Sequence, residues 1–315
     1  MQHQGKSLKR LVHLTDPHLS RLDGVKFSSL RGKRWSGYVS WHKNRRKKYI
    51  NTVLGLLSDA VRAENADQLL VTGDLVQIGL DSEIAQAAQW LSTLGPAGQV
   101  MLVPGNHDVY AKASADAVQR AWSDYFFNGA SPDLMDLAGR FPVERKLDNL
   151  VLIGLSTAVV SPVFMATGEV SEQQLEKLAR LLQRAASEKR MVCLLIHHPP
   201  LPGMTKWRKA LTNADALQAV LERYPPLLIF HGHLHHNREL QWGDSRIYCT
   251  AAASSACDAS YRVIDIEESA EYLSFRMTLK SVAIGNRDEP EFLTVDEQSW
   301  QVSKNIFTGS DGESP

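Results

Sequence analysis

Short runs of apolar residues alternate with longer segments of helical periodicity over most of the chain. The runs occupy residues 10–14, 68–72, 99–104, 150–155, 191–196 and 226–230. Runs of this length are typical of buried β-strands. Strands that alternate with helical segments indicate an α/β fold.

Helical periodicity is clearest in two of the intervening segments. Residues 81–95 place apolar side chains on roughly one helical face and end at Gly95, a residue type that is common just after a helix. Residues 171–189 begin with Ser171 and carry leucines at helical spacing. Both segments are therefore predicted to be helices.

The pattern changes near the C-terminus. "RIYCTAAAS", "YRVIDIE" and "EYLSFRMTLKS" alternate apolar and polar residues, which predicts antiparallel strands that close a second sheet. The final "SKNIFTGSDGESP" is polar and glycine-rich, which predicts disorder. Since no linker-like stretch divides the middle, we expect one domain over residues 1–285 and a partly disordered extension over 286–315.

Composition and charge are those of a globular protein. Lys plus Arg equals Asp plus Glu at 35 each, so no overall field attracts nucleic acid or membrane, although a local patch still could. Three cysteines at irregular spacing fit a reducing compartment. No stretch approaches 18 apolar residues, and the N-terminus lacks a signal-peptide pattern. We expect a cytoplasmic protein, either free or peripherally attached to a membrane.

Five strand ends carry side chains that bind divalent metal ions. They are "TDPH" with Asp16 and His18, "TGDL" with Asp74, "PGNHD" with Asn106 and His107, "IHHPP" with His197 and His198, and "FHGHLHHNREL" with His233 and His235. Residues two apart in extended chain point the same way, so each such pair can reach one ion. Because ligands gather at the carboxyl ends of strands in α/β sheets, the five motifs should meet in one crevice.

This set of side chains suits a pair of transition metals. Two Asp, one Asn and several neutral His are typical ligands of Mn, Fe or Zn, whereas sites made only of carboxylates suit Mg or Ca. Two such ions about 3.5–4 Å apart can activate one water and neutralise a phosphoryl group. The ligand set therefore predicts metal-dependent hydrolysis of a phosphoric ester.

The ordered motifs resemble the calcineurin-like metallophosphoesterase superfamily, whose pattern is DxH, GD, GNH(D/E), H and GHxH. All five blocks are present between residues 16 and 235. The resemblance implies a four-layer αββα sandwich of two mixed β-sheets flanked by helices. It also implies two divalent metal ions, one held by Asp16, His18, Asp74 and His235 and the other by Asp74, Asn106, His197 and His233.

The same resemblance implies the roles of the catalytic residues. A hydroxide that bridges the metals attacks phosphorus, Asp74 bridges the two ions, and His107 binds phosphate and protonates the leaving oxygen. The leaving oxygen needs a proton donor that is not bound to metal, and this requirement agrees with the role of His107. Asp108 is expected to cap the following helix, with orientation of His107 as the alternative.

The motif pattern leaves open the roles of the remaining histidines. The pattern H-x-P of the superfamily favours His197 as the ligand in "HHPP" and leaves His198 behind a ligand or at the substrate. His231 is expected either to support a ligand or to have no role in the site. His236 is expected to be exposed, and His13, on an apolar strand, to be a core residue with satisfied hydrogen bonds.

Residues 25–49 form a basic and aromatic insertion without any acidic residue, called here the basic segment. It follows the first ligand motif, so it should overhang the crevice, with Arg34 and Arg45 as candidates for substrate binding. Alternatively, the segment rests in lipid headgroups, or "KNRRKK" is only the solvated start of the helix through "INTVLGLLSDAVRA". Nucleic acid is a less favoured partner, because the patch is short and the protein neutral.

The substrate is predicted only as a class. The motif pattern is similar to that of the class III cyclic nucleotide phosphodiesterases, which implies a phosphorylated small molecule. The basic segment resembles more loosely enzymes that hydrolyse the pyrophosphate of UDP-2,3-diacylglucosamine in lipid A synthesis, which implies a lipid-linked substrate at the membrane surface. A non-catalytic scaffold with this fold is a third hypothesis, and the complete ligand set argues against it.

Overall fold

The six apolar runs form strands of two six-stranded sheets, and the amphipathic segments between them form helices. The computed structural model describes residues 7–19, 21–129, 137–284 and 290–304. The strands, numbered along the chain, are β1 (Ser7–Leu14), β2 (Gln68–Val71), β3 (Val100–Leu102), β4 (Val143–Leu147), β5 (Leu150–Gly154), β6 (Met191–Leu195), β7 (Leu228–His231), β8 (Arg238–Trp242), β9 (Ser245–Cys249), β10 (Ser260–Glu268), β11 (Tyr272–Ile284) and β12 (Pro290–Ser303).

The helices follow the predicted periodicity. They are α1 (Lys33–Ser40), α2 (Asn51–Ala63), α3 (Asp81–Leu94), α4 (Lys112–Phe127), α5 (Glu172–Ser187) and α6 (Ala214–Arg223). Ser171 caps α5, because its hydroxyl accepts a hydrogen bond of 3.3 Å from the backbone N–H of Gln174. The helices predicted at 81–95 and 171–189 are confirmed as α3 and α5. Among the described residues, no helix has the length and apolar character needed to cross a bilayer.

The first sheet has the strand order β12-β11-β10-β1-β2-β3. β1, β2 and β3 are parallel, whereas β10, β11 and β12 are added to β1 as an antiparallel extension. The prediction that the C-terminal strands close a second sheet is thus wrong for β10 and β11. The alternation along them shows that one face is buried, but it does not identify the strand beside which they pair.

The second sheet has the order β4-β5-β6-β7-β9-β8. Its inner strands β5, β6, β7 and β9 are parallel, and the edge strands β4 and β8 are antiparallel to their neighbours. Each sheet therefore presents the carboxyl ends of at least three parallel strands, where side chains from both sheets can meet.

Successive side chains of β5 pack in two different buried clusters, which shows how the layers are arranged. Leu152 belongs to the core that also contains residues of the first sheet, such as Leu70. Its neighbours Val151 and Ile153 pack on the other face with Leu178 of α5 and other residues of α5 and α6. Since successive side chains of a strand point to opposite faces, the second sheet lies between the first sheet and these helices. The four-layer αββα sandwich with two mixed sheets is confirmed.

Part of the predicted C-terminal extension is a strand. β12 lies within residues 286–315 and pairs with β11 along its whole length, with a register shift at Leu279/Lys280. The predicted disorder of the final residues falls mostly on residues 305–315, outside the described part of the chain. The domain boundary at residue 285 stays a prediction, but β12 is paired with the strand of the domain that precedes it.

The basic segment forms its own helical unit. It contains a 3-10 turn (Phe27–Ser29), α1 and a π-type turn (Trp41–Arg45). Trp41 is buried in a small apolar cluster with Ile78 and Tyr110 of the main domain. α2 begins only at Asn51, so "KNRRKK" precedes that helix and does not start it.

Candidate metal centre

The five motifs meet at the carboxyl ends of the parallel strands, as predicted. Asp16 and His18 follow β1, Asp74 follows β2, Asn106 follows β3, His197 follows β6, and His233 and His235 follow β7. Their ligand atoms form two groups, and in each group all atoms lie within 4.8 Å of one another. The first group is Asp16, His18, Asp74 and His235, and the second is Asp74, His197 and His233.

The first group brings two imidazole nitrogens against one carboxylate. Nε2 of His235 lies 2.9 Å from Oδ1 of Asp16 and 3.3 Å from Nε2 of His18. Nδ1 of His18 faces the carbonyl of Val76 at 3.1 Å. If that nitrogen carries the proton, the Nε2 lone pair of His18 points into the group, as metal ligation requires.

The second group is built in the same way. Nε2 of His197 lies 3.3 Å from both Oδ2 of Asp74 and Oδ1 of Asn106. Nδ1 of His197 faces the carbonyl of Thr72 at 2.6 Å, which again leaves Nε2 free to bind metal. Asn106, which the family resemblance assigns to this ion, therefore lies within reach of the group.

The chemistry of these atoms fits bound cations. Nε2 of His233 is buried, and no group among the described residues forms a hydrogen bond with it. An unpartnered buried polar atom is costly unless something else satisfies it. The close approach of the Nε2 atoms of His18 and His235, beside the carboxylate of Asp16, calls for a positive charge between them. The residues present thus suit two divalent metal ions.

The carboxylates of the centre are ionised at neutral pH. Burial is the largest single influence and raises the pKa of Asp16, but His235 and His197 together outweigh it, and the result is a pKa of about 2. For Asp74 burial is again outweighed, here by His197 and His107, and its pKa lies well below the usual value. Ionised carboxylates are the form that binds metal.

Two imidazoles of the centre are neutral. Burial lowers the pKa of His18 to about 4 and that of His233 well below its usual value. His197 differs. Burial is the largest single influence and lowers its pKa, but Asp74 and Asp16 together outweigh burial and raise the pKa to about 9. Metal binding must release this proton, so metal affinity depends on pH.

The turns that carry the ligands have unusual backbone conformations. Asp16, His18, Asp74, His233 and His235 all have positive φ angles, between 41° and 69°. Residues other than glycine seldom adopt this left-handed region, and clusters of such residues are typical of functional sites. The surrounding hydrogen bonds hold these turns in place and so orient the ligands.

Two glycines allow the turns to approach each other. A Cβ atom on Gly105 would collide with the carboxylate and backbone of Asp74, and one on Gly232 would collide with Thr15 and Asp16. Glycine at these positions thus lets the motifs GNH and GHxH lie against the ligands of the first sheet.

Asp108 has a different role from the predicted helix cap. α4 begins at Lys112, with Ala111 as its N-cap. The buried Asp108 carboxylate accepts hydrogen bonds from the backbone N–H groups of Gly105, Asp74 and Leu75 at 2.8–2.9 Å. It therefore connects the second and third motifs, and both predicted roles, the cap and the orientation of His107, are replaced.

A cavity of about 370 Å³ opens above the ligands. The predicted site residues Asp74, Asn106, His107, His233, His235 and Arg45 line it. Other lining residues are Lys33, Ser36, Gly37, Ser40, Asn44, Lys48, Tyr49, Tyr110, Phe164, Met165, Ala166 and Lys209. The prediction that the basic segment overhangs the crevice is confirmed, because eight of its residues contribute to the wall.

His107 and Arg45 lie in contact at the wall of the cavity. Nη1 of Arg45 is 3.1 Å from Nδ1 and 3.3 Å from Nε2 of His107, and Nη2 donates to the carbonyl of Gly37 at 3.1 Å. Nδ1 of His107 is also 2.5 Å from the carbonyl of Gln77, and its backbone N–H donates to Asp74 at 2.7 Å. Burial lowers the pKa of His107 well below the usual value.

Two predicted substrate-binding residues do not line this cavity. Arg34 points away from it and donates hydrogen bonds to the carbonyls of Ile78 and Gly79. His198 is fully buried behind the ligands, where its Nδ1 bonds to the Thr157 hydroxyl at 2.7 Å. Its ring packs 4.4 Å from that of His233, so it lies behind this predicted ligand and not at the cavity.

The other histidines have the expected surroundings. His13 is buried and bonds to the hydroxyls of Thr250 and Thr72 at 2.8 and 2.9 Å, as a satisfied core residue should. His236 is exposed. His231 is buried, and its Nδ1 lies 3.0 Å from the carbonyl of Gly232, so it supports the turn before His233.

Several residues that line the cavity were not predicted from the sequence. Tyr49 places its hydroxyl 2.6 Å from Nδ1 of His235, and Lys33 lines the cavity where Arg34 was expected. Helical spacing was the missed signal for Lys33, since α1 and the following turn present positions 33, 36, 37, 40 and 44 on one face. Phe164 and Lys209 lie outside every motif, and no comparable signal marks them.

Comparisons with known proteins agree with this architecture. A family model described as calcineurin-like phosphoesterase matches residues 9–237. The Escherichia coli protein named 3',5'-cyclic adenosine monophosphate phosphodiesterase CpdA is 28% identical over 256 residues, which cover 78% of this chain and 76% of the relative. The glycerophosphodiester phosphodiesterase GpdQ of Enterobacter lignolyticus is 30% identical over 187 residues, or 58% of this chain and 61% of the relative.

A solved structure has the same fold. The crystal structure of a dimetal phosphatase from Danio rerio superimposes with a TM-score of 0.57 and 17% identity, and the match covers 91% of this chain and 98% of that one. The family model extends over all five motifs, including every side chain of the two ligand groups. The chain therefore belongs to the calcineurin-like phosphoesterase family and is a metal-dependent hydrolase of phosphoric esters.

Proposed function

We propose that the protein hydrolyses a phosphodiester bond of a small molecule, most closely that of a cyclic nucleotide, and that it uses two divalent cations. The observation that carries this proposal is the pair of ligand groups that share Asp74 beneath a cavity with cationic walls. The relatives CpdA and GpdQ are both named as phosphodiesterases, which supports the bond type. The cavity volume of about 370 Å³ is within the range of small-molecule sites.

The ligands divide between the two proposed cations. Asp16, His18 and His235 would hold one, Asn106, His197 and His233 the other, and Asp74 both. When bound, manganese, iron or zinc would place positive charge on the phosphoryl oxygens and lower the pKa of the attacking water.

His107 is the proposed proton donor to the leaving oxygen. Its contact with the Gln77 carbonyl fixes the ring through Nδ1, so that Nε2 is the atom that can serve the substrate. Burial keeps the imidazole neutral in the absence of substrate. A phosphate beside the ring would favour the protonated imidazole, which then donates its Nε2 proton to the leaving oxygen. Held in this way, the ring needs no reorganisation when the bond breaks.

Cationic side chains of the basic segment complete the proposed substrate site. Arg45 lies beside His107, where its guanidinium can bind a phosphoryl oxygen that the cations do not reach. Lys33 and Lys48 line the same wall, and Lys209 lines it from outside the segment. Together they provide an anionic substrate with charge that the neutral chain as a whole does not have.

A second candidate function is hydrolysis of the pyrophosphate of a lipid-linked substrate such as UDP-2,3-diacylglucosamine. A further cavity of about 560 Å³ shares Phe164, Ala166 and Lys209 with the first. Phe164 is 82% exposed, and Trp207, which also lines this second cavity, is 68% exposed. Apolar walls beside a phosphoryl site favour a substrate that carries a large apolar group.

One metal-reconstituted sample can decide between these functions. The test compares turnover of bis-p-nitrophenyl phosphate, cyclic AMP and UDP-2,3-diacylglucosamine with added manganese. We expect the diester and cyclic AMP to be hydrolysed, and preference for the lipid-linked substrate would favour the second candidate. Asp74→Ala should abolish turnover, whereas Asp116→Ala on the exposed face of α4 should not.

Two results would contradict the proposal. Full activity of the Asp74→Ala protein would exclude a mechanism with two cations that share this ligand. Purified protein that takes up no metal and hydrolyses none of the three substrates would instead support the scaffold hypothesis.

A further inference from the structure

Exposed apolar side chains concentrate at the mouth of the cavity. Eleven large apolar side chains are exposed within the described ranges, and six of them belong to three segments at this mouth. These six are Phe27, Trp35, Val160, Val163, Phe164 and Trp207. Soluble proteins seldom expose contiguous apolar surface of this kind unless it meets a partner.

Direct contacts join the three segments, which are residues 26–35, 160–166 and 206–209 and are called here the rim. Nζ of Lys33 donates to the Ser161 hydroxyl at 2.6 Å. The backbone N–H of Ala166 donates to the carbonyl of Arg208 at 2.9 Å. The rim is therefore one continuous surface that comes from distant parts of the sequence.

The charge of the rim is uniformly positive. None of the three sequence segments contains Asp or Glu. Lys26, Arg31, Lys206 and Arg208 are exposed there, and the Arg208 guanidinium lies 5.1 Å from the ring of Trp207. Because the chain as a whole is neutral, this charge is a property of the rim.

We propose that the rim docks on an anionic lipid bilayer, with the mouth of the cavity facing the headgroups. Tryptophan and phenylalanine among basic residues are typical of segments that lie in the membrane interface. Single-stranded nucleic acid also binds basic and aromatic surfaces, because its bases stack on exposed rings. Val160 and Val163 beside Phe164 favour lipid, because aliphatic side chains gain more from acyl chains than from bases.

This inference goes beyond the proposed function, because it concerns where the protein works and does not depend on the substrate. It also assigns a role to residues 160–166 and 206–209, which belong to no metal motif. The basic segment alone would supply only part of the surface. Phe164, the most exposed aromatic residue of the rim, and Trp207 both lie outside that segment.

Sedimentation with lipid vesicles tests the proposal without measuring turnover. We expect the full chain to bind vesicles of phosphatidylcholine with phosphatidylglycerol and to bind phosphatidylcholine alone more weakly. Phe164→Ser with Trp207→Ser should lower partitioning by at least about tenfold, because two large apolar side chains no longer enter the bilayer. Lys206→Gln with Arg208→Gln should lower partitioning to anionic vesicles by about fivefold per charge.

A matched pair of exposed apolar residues outside the rim is the control. Tyr272→Ser with Val295→Ser, on β11 and β12, should bind vesicles like the unaltered protein. Thermal unfolding confirms that each variant is folded. The proposal is overturned if the unaltered protein stays in the supernatant, if both rim variants bind as it does, or if it binds a single-stranded oligonucleotide instead of anionic vesicles. Loss of phosphodiesterase activity would leave this result unaffected.

Discussion

At the scale of single residues, Tyr49 links the basic segment to the metal centre. Its hydroxyl lies 2.6 Å from Nδ1 of His235, whose Nε2 faces the first ligand group. A partner of this kind holds a ligating imidazole in one orientation and one tautomer. Tyr49 itself is buried, so it is pre-positioned for this contact.

Removal of this hydroxyl should weaken the binding of one of the two proposed cations. We expect Tyr49→Phe to lower manganese affinity at one site by about 10–100-fold, the usual effect of losing such a partner. Calorimetric titration of metal-free protein with manganese measures both sites. Tyr38→Phe, in α1 of the same segment, is the control and should leave both affinities unchanged. Identical titrations of the Tyr49→Phe and unaltered proteins would contradict this role.

Lys33 should give substrate binding a dependence on pH. Burial lowers its pKa to about 8, although Asp74 acts in the opposite direction. The ammonium is therefore charged below about pH 8 and loses its charge as the pH rises through that value. We expect KM for a phosphodiester to increase above this pH, because an anionic substrate then meets a neutral amine.

Lys33→Arg provides the comparison, because guanidinium stays protonated throughout this range. Its KM should stay nearly constant where that of the unaltered protein rises. The measurement is KM from about pH 7 to about pH 9.5 for both proteins. The same rise in both would show that another group is responsible.

Residue roles were predictable where a motif carries them. The seven predicted ligands lie together because each motif ends a strand, and this can be read from the sequence. The role of Asp108 could not be read in this way, because its partners include the backbone of Asp74 and Leu75, which are distant in sequence. Likewise, whether Lys33 or Arg34 lines the cavity depends on which face of α1 meets the domain.

At the scale of elements, the position of α1 decides the shape of the cavity. Gly37 lies in α1 against Tyr110 and Ile78, and a Cβ atom at this position would collide with both side chains. Arg45 also donates to the Gly37 carbonyl, so displacement of α1 would move Arg45 and its contact with His107. The helix must therefore be close to the domain for the cavity wall to form.

Gly37→Val should displace α1 without disturbing the ligands. We expect KM for a phosphodiester to rise by about tenfold, because the cationic side chains of the cavity wall are misplaced. Metal content should be unchanged. Gly55→Ala in α2 is the control, since a Cβ atom there meets open space. That variant should keep KM and gain a few tenths to about 1 kcal/mol in stability. Unchanged KM in Gly37→Val would refute the importance of this contact.

Element types were more predictable than element partners. The apolar runs marked six strands of the two sheets, and helical spacing marked α3 and α5. Alternation along β10 and β11 indicated strands with one buried face, but pairing with β1 depends on contacts between residues more than 200 positions apart, such as Val12 with Val263. Single-sequence patterns contain no such information.

At the scale of the whole molecule, the metal centre joins the two sheets. Asp16, Asp74 and Asn106 follow strands of the first sheet, whereas His197 and His233 follow strands of the second. Bound cations would hold the strand ends of both sheets together. They would also neutralise carboxylates that are otherwise buried side by side.

Metal removal should therefore destabilise the fold. Each site should contribute about 2.7 kcal/mol to the free energy of unfolding when free metal is about 100 times its dissociation constant. We expect the thermal midpoint to fall when a chelator replaces manganese, and to fall by less in Asp74→Ala, which loses the ligand common to both groups. Equal midpoints with metal and with chelator would contradict this coupling.

The central claim is that two cations share Asp74 in one site, and the most direct test is the metal stoichiometry of the reconstituted protein. Manganese content per chain, together with the paramagnetic resonance spectrum, reports both the number of ions and whether they interact. The account predicts two ions per chain with a spin-coupled spectrum, and loss of that coupling in Asp74→Ala. A single ion per chain, or two ions without coupling in the unaltered protein, would contradict it.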